Sequence, residues 1–297
     1  MLLELVVRYS VTKRRVCGKI SIIKMGILSI LKRLEIFMEK IVENALQNEE
    51  MTKVVSISHL SKRYGKSPVL AADDINIVGY KNEVIGLLGR NGAGKSTTIK
   101  CLTGFLPFEQ GEIKFLEYDI VKDAINAKKT FGYVPDDRSV FDKMTGMEYL
   151  DFMANVYKIP ADAANARVEE LQKHFMLGDR IHSIISSYSF GMKKKISIMG
   201  ALMHNPKVLI LDEPFTGLDP QTTYSLRNYI KEHAKNGNTV FFSSHNIDIV
   251  EKICDRVYII HKGKLVDEVT VSSCREKYHM SLEEYFLEKC AAEEGDE

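Results

Sequence analysis

At 297 residues, the chain can bury a full core and form one large or two small domains. Hydrophobic residues make up 45% and the formal net charge is +1. This is ordinary globular composition, with no global charge to attract nucleic acid. Five cysteines (Cys17, Cys101, Cys254, Cys274, Cys290) lie scattered without C-x-x-C spacing, which excludes a disulfide framework and argues for reduced, cytosolic thiols.

Residues 1–50 read apart from the rest. Within the first 40, nine Lys/Arg face three Glu. Ile20, Ile23, Ile27, Ile30, Leu34, Phe37 and Ile41 recur at three- and four-residue steps, one face of a helix, with Lys24, Lys32 and Arg33 off it. No apolar run approaches the ~20 residues of a membrane span; the best, Ile20 to Leu31, is broken by Lys24. Glu4 and the cluster Lys13-Arg14-Arg15 interrupt any secretory signal. Asn44 to Glu50 reads as polar linker.

From Met51 the period changes. Val54 to Leu60 alternates like a half-buried strand. Asn76 to Glu83 suggests a strand and a turn, and Glu83 to Leu88 a short buried strand. Gly89-Arg90-Asn91-Gly92-Ala93-Gly94-Lys95-Ser96-Thr97 follows and fits G-x-x-x-x-G-K-[S/T], with a helical pattern after it. Its glycines let backbone N–H groups turn around a polyphosphate, and the helix start adds its positive dipole end. Lys95 is placed to neutralise the β- and γ-phosphates, and the Ser96 hydroxyl to ligate Mg²⁺. The motif implies binding of a nucleoside triphosphate.

Further strands are read at Glu112 to Phe115 and Phe131 to Val134. Residues 142–187 read mainly as helix, with Tyr149, Phe152, Met153, Val156 and Tyr157 on one face and Val168, Leu171, Phe175 and Met176 on another. Strand signals return at Val208 to Leu211, Thr239 to Ser243 and Arg256 to Ile260, alternating with helices at 221–236 and 246–254, the rhythm of a mostly parallel sheet. The run Lys193-Lys194-Lys195 reads as a solvated helix face, and the acidic end Glu293 to Glu297 as a solvated tail. Val208 to Leu211 ends in Asp212-Glu213, which puts two carboxylates at the carboxyl edge of the sheet, where ligands bind in such folds. Asp212 suits a water-mediated Mg²⁺ contact and Glu213 the polarising of an attacking water.

Taken together, these motifs resemble the nucleotide-binding subunit of an ABC transporter over roughly residues 51–270. Tyr188-Ser189-Phe190-Gly191-Met192 is similar to that family's signature, Phe215 to Pro220 resembles the D-loop segment, with Asp219 in it, and Ser243-Ser244-His245 matches the switch histidine. Tyr64 sits where the family's adenine-stacking aromatic would be. Two departures stand out. The usual paired glycines of the signature are here Phe190-Gly191, with Met192 and lysines following, a form that looks like the subgroup paired with separate export permeases. Asp136, in Gly132 to Asp136, replaces the usual glutamine; a carboxylate there is still a hard oxygen ligand for Mg²⁺.

The resemblance implies a P-loop ABC ATPase fold: a RecA-like α/β lobe, an antiparallel β edge and a helical subdomain at about 139–200, followed by a C-terminal tail at 271–297. It implies ATP and Mg²⁺ as cofactors. Glu213 and His245 would be catalytic. Tyr64, Gly89 to Thr97, Ser189, Gly191 and Asp219 would bind nucleotide, and Ser96, Asp136 and Asp212 the metal. Two copies, or the chain and a related ATPase, would close head-to-tail over two ATP molecules, Ser189 and Gly191 of one meeting the ATP held by Lys95 of the other. The partner would be an integral-membrane permease docked around Ser139 to Lys143, with the chain peripheral on the inner face of the cell membrane and no nucleic acid bound. The cargo would be a drug, antibiotic, peptide or lipid-like molecule. A soluble ABC ATPase acting on nucleic acid or ribosomes is the alternative, weakened by the single cassette and the lack of a long coiled coil. A small-molecule kinase leaves the signature, the D-loop segment and His245 unexplained. For residues 1–50, three readings stand: a basic helix on anionic membrane, a small structural helix, or untranslated sequence before a start at Met38 or Met51. The last is favoured, because the ATPase pattern begins only after Met51.

Overall fold

A computed structural model describes residues 52–136 and 141–295; the extension 1–50 and its three readings lie outside the described residues. Strands β1 (Lys53–Arg63) and β2 (Leu70–Tyr80) pair antiparallel, and β4 (Gln110–Phe115) and β5 (Tyr118–Asp119) complete a four-stranded sheet in the order β2-β1-β4-β5. The alternation of β1 breaks at His59. Its φ is 53°, and the register shifts between Ile57 and Leu60, so a bulge returns Leu60 to the buried face.

The second sheet contains β3 (Val84–Leu88), β6 (Phe131–Val134), β7 (Val208–Leu211), β8 (Thr239–Ser244), β9 (Arg256–His261) and β10 (Lys264–Thr270), in the order β10-β9-β3-β8-β7-β6. Every pairing is parallel except β9–β10. All residues of β3, β7 and β8 are buried, the continuous apolar pattern expected of strands covered on both faces. Successive residues of β3 divide between two cores: Val84 and Leu88 face the helical side, Ile85 and Leu87 the side of the antiparallel sheet. Arg256 ties the sheets together. Its guanidinium meets Glu83 at 2.6 and 2.8 Å, the Val78 carbonyl at 2.7 Å and the Glu268 carboxylate, a paired and hydrogen-bonded buried cation.

Helices α1 (Lys95–Leu102), α2 (Ala124–Thr130), α6 (Pro220–Lys235) and α7 (Ile247–Ile253) link the strands. The helical block holds α3 (Gly146–Val156), α4 (Ala161–Phe175) and α5 (Phe190–Leu202), with short 3₁₀ turns between α4 and α5. A reciprocal capping box, Thr145 with Glu148, starts α3. The face read for α3 needs correction. Its buried residues are Gly146, Tyr149, Leu150 and Ala154, while Phe152 and Val156 point outward. On α4, Val168, Leu171 and Phe175 are buried as expected, but Met176 is exposed in a left-handed C-cap.

The lysine run and the C-terminal segment are corrected too. Lys194 is buried, and its ammonium donates to the Pro135 carbonyl at 3.2 Å; Lys193 pairs with Asp142 at 2.7 Å. Residues set apart as a C-terminal tail form α8 (Val271–Glu276) and α9 (Leu282–Gly295). Leu282, Tyr285, Phe286 and Cys290 join the helical-side core, and Tyr285 donates to Asp267 at 2.7 Å. Among the described residues no helix is long and apolar enough to cross a membrane.

Candidate functional site

The loop from Gly89 to Gly94 leaves the carboxyl end of β3 and enters α1. Gly94 is the N-cap, with φ 107° and no side-chain cap, so the first N–H groups of α1 have no side-chain acceptor at the cap. A Cβ on Gly94 would lie 2.5 Å from the Ala71 carbonyl oxygen, and one on Gly89 2.5 Å from that of Ile260. Those glycines are required by close approach of neighbouring backbone. Gly92, at φ 82° with nothing within 4 Å of a built Cβ, is required by conformation and leaves the mouth of the loop clear.

Lys95 is 5% exposed. Its ammonium donates to the carbonyls of Gly89 at 2.7 Å and Arg90 at 3.2 Å. It also lies 3.2 Å from Glu213 Oε1, but off hydrogen-bonding angle, so that buried oxygen has a charge partner and no hydrogen bond. Glu213 Oε2 meets His245 Nδ1 at 2.9 Å. Glu213 is held at φ 45°, a left-handed conformation costing a non-glycine residue ~1–3 kcal/mol. Strain of that kind persists where surroundings over-determine it, and here they do.

Parallel pairing sets those surroundings. Leu211 is in register with Phe242, which brings Asp212 level with Ser243. Asp212 is almost fully buried. Its Oδ1 accepts from Ser243 Oγ at 2.6 Å and from Ser96 Oγ at 3.1 Å. Burial pushes the Asp212 carboxyl above the usual range; those two hydroxyls oppose the shift, and the negative charges of Asp136 and Glu213 add to it. Ser96, Asp212 and Asp136 make an all-oxygen donor set of the kind hard divalent cations take. Among the described residues, no group of three His, Cys, Asp or Glu could hold a metal by itself, so such an ion would need ligands from water or a phosphate.

A cleft of about 600 Å³ runs along this edge, within the range of small-molecule sites. Tyr64, Val69 and Lys262 line it, as do Asn91, Gly92, Gly94, Lys95, Ser96 and Thr97, with Asp136 and Glu213. Tyr64 is 48% exposed at the cleft mouth, its hydroxyl 3.3 Å from Thr97 Oγ1 and its ring centroid 5.9 Å from the Lys62 ammonium.

Ser189, Gly191 and Asp219 are not in this cleft. Ser189 caps α5, accepting from Met192 N at 3.3 Å. Asp219 caps α6, accepting from Thr222 N at 2.9 Å and Thr222 Oγ1 at 2.7 Å, bonds that hold its carboxyl below the usual range. A Cβ on Gly191 would stand 3.3 Å from Asp219 Oδ2, so these residues form a pole of their own. The Lys194 bond to Pro135 ties the helix of that pole to the loop carrying Asp136.

Sequence reasoning missed Ser243 as a participant, although its place after the apolar run of β8, beside the acidic end of β7, was a signal. It also missed the β9–β10 turn. There Gly263 N donates to the Ala93 carbonyl and Asp73 N to the Gly263 carbonyl, at 2.9 and 2.8 Å, strapping the turn to the phosphate loop.

Residues 72–216 match a family described as ABC transporter. The linearmycin resistance ATP-binding protein of Bacillus subtilis is 36% identical over 213 residues, covering 72% of this chain and 68% of that protein. The bacitracin transport ATP-binding protein of Enterococcus faecalis is 32% identical, covering 76% and 72%. A solved ATP-binding subunit of an ABC transporter superposes with a TM-score of 0.74 at 29% identity, covering 80% of this chain and 99% of that one. The chain belongs to the ATP-binding subunits of ABC transporters, ATPases that bind and hydrolyse ATP to energise transport through a separate permease.

Proposed function

We propose that the cleft holds Mg²⁺-ATP, and that two copies of the chain close over two nucleotides to drive export by a permease on the inner face of the membrane. One observation carries the reading of the site: the contact series Lys95–Glu213–His245, with Ser96 and Asp212 beside it, on one sheet edge at the mouth of a glycine loop. Tyr64 offers a face for the adenine ring, and the N–H groups of Gly94 to Thr97, at the start of α1, face the polyphosphate. Lys95 bonds the β- and γ-phosphates. Ser96, Asp136 and, through water, Asp212 would hold Mg²⁺, which when bound neutralises phosphate charge.

Glu213 then polarises the attacking water and His245 orients Glu213 and the γ-phosphate. Ser189 and Gly191, at the start of α5, present a hydroxyl and backbone N–H groups to the γ-phosphate held by the other copy. ATP binds the closed dimer better than the open one, and so shifts the population toward closure. Two relatives carry the names of antibiotics, and cargo of that class, peptide or lipid-like, is the reading for this chain. In it nucleic acid has no part.

The test is growth of a sensitive bacterium expressing the chain with the membrane protein encoded beside it, challenged with bacitracin and with linearmycin. Protection that disappears with Glu213→Gln supports export powered by this site. Equal growth with and without the pair, across both compounds, removes these antibiotics as cargo.

A further inference from the structure

We infer that Ser243 is a positioning residue for hydrolysis: its buried hydroxyl aims Glu213 by holding the peptide between Asp212 and Glu213. The inference rests on the reading of Glu213 as the group that polarises water. Ser243 is 0% exposed and lies on β8, in register with Leu87 of β3 on one side and level with Asp212 on the other. Its Oγ donates to Asp212 Oδ1 at 2.6 Å and accepts from Glu213 N at 2.9 Å. A hydroxyl has one proton and two lone pairs, so a single atom serves both acidic residues, one through its side chain and one through its backbone.

That second bond matters because Glu213 is strained. At φ 45° its backbone is in a sparsely populated region that survives only when several contacts fix it. Bond rotation at this residue swings the carboxylate away from Lys95, 3.2 Å distant, and His245, 2.9 Å distant. Asp212 N, just before, is already tied to the Val134 carbonyl at 2.9 Å. With Ser243 on Glu213 N, successive peptide N–H groups are pinned from β6 and from β8, and the turn between them has one shape.

The first bond has a consequence for Ser96. Both hydroxyls converge on Asp212 Oδ1. When Ser96 turns to a metal, Ser243 still donates to that oxygen, so the buried carboxylate is not orphaned by the exchange. An alanine at 243 would remove both functions; a chance core serine would have neither partner.

The experiment compares the full chain with Ser243→Ala, Glu213→Gln and the double variant. Ser243→Ala is expected to lower kcat about tenfold to a hundredfold, the effect of a misplaced group, with KM for ATP and binding of a fluorescent ATP analogue in EDTA unchanged. Its ATP-held dimer, followed by size exclusion, is expected to persist longer than the parent's. In the Glu213→Gln background, adding Ser243→Ala is expected to lower kcat no further, since groups acting as a unit are non-additive.

A parent-like kcat in Ser243→Ala overturns the inference, and so does a full further loss in the double variant, which would mean that Ser243 acts apart from Glu213. Parent-like turnover by Glu213→Gln instead overturns the reading beneath it. If the alanine variant does not fold, Ser243→Cys, of similar size but a weak donor and a weak acceptor, is judged by the same criteria.

Discussion

The cleft and the signature pole are both built from residues that the family motifs mark, yet they are satisfied in opposite ways. In the cleft, polar and charged groups from three elements meet: Lys95 from α1, Glu213 after β7 and His245 after β8 lie within 3.2 Å of their neighbours in series, and Glu213 Oε1 is still without a hydrogen bond. At the pole, among the described residues, Ser189 and Asp219 bond within their own helix starts. A cleft whose side chains pair with one another can exchange those pairings for a triphosphate. In the proposed function, the pole that closes on itself meets a ligand held by another chain. On that proposal, the difference teaches that one chain carries two halves of different sites.

The sharpest way to break the comparison is Glu213→Gln, which is expected to cut turnover by ~10²–10⁴-fold while ATP still binds; steady-state hydrolysis and nucleotide binding measure both. Parent-like turnover would remove Glu213 from the chemistry. Next in size is Lys95→Ala. Loss of charge-assisted hydrogen bonds worth ~1.5–3 kcal/mol each is expected to weaken a fluorescent ATP analogue at least about tenfold, and unchanged titration would contradict the cleft assignment. Asp136→Ala is expected to weaken permease-stimulated hydrolysis more than basal hydrolysis, because its loop is tied through Pro135 to Lys194 and so to the helix of the pole. Equal loss in both assays would leave Asp136 a plain metal ligand.

A smaller effect reads the packing of the helical block on the α/β lobe. His204 and His233 sit where the helical block meets the α/β lobe. Burial pushes each down to about 4, with the Arg167 charge adding to the shift. Both are neutral in the folded protein near neutral pH. Their folded pKa lies below the unfolded value of ~6.5, so the unfolded chain takes up protons first as pH falls. Stability is fully present above pH ~6.5 and lost between there and about 4, up to about 3 kcal/mol for each. Denaturant melts of His204→Gln across that window are expected to show a flatter decline than the parent.

How much could be read beforehand follows from which constraints are local. The glycine loop was legible because turn geometry and backbone approach demand glycine at fixed offsets, and β7 because an apolar run ending in two acids has few other meanings. Long-range packing was less legible. Phe152 and Val156 looked like core because α3 is apolar on more than one side, and periodicity alone does not say which stripe faces α5. Lys194 looked solvated by residue type, but its stem is buried and its ammonium finds a carbonyl 59 positions away. The segment beyond residue 270 carries buried Leu282, Phe286 and Cys290 among many charges, and only the surface offered by β10 and α7 reveals that face. Ser243 was visible as a letter, and its role needed the register between β7 and β8.

The central claim, that each site is completed by a second copy, is tested most directly by size exclusion of the Glu213→Gln chain. With ATP it is expected to elute as a dimer, and with ADP as a monomer. Adding Ser189→Arg is expected to return it to a monomer in ATP, with binding of the fluorescent analogue unchanged. A Glu213→Gln chain that stays monomeric in saturating ATP, or a dimer indifferent to arginine at position 189, would contradict the account.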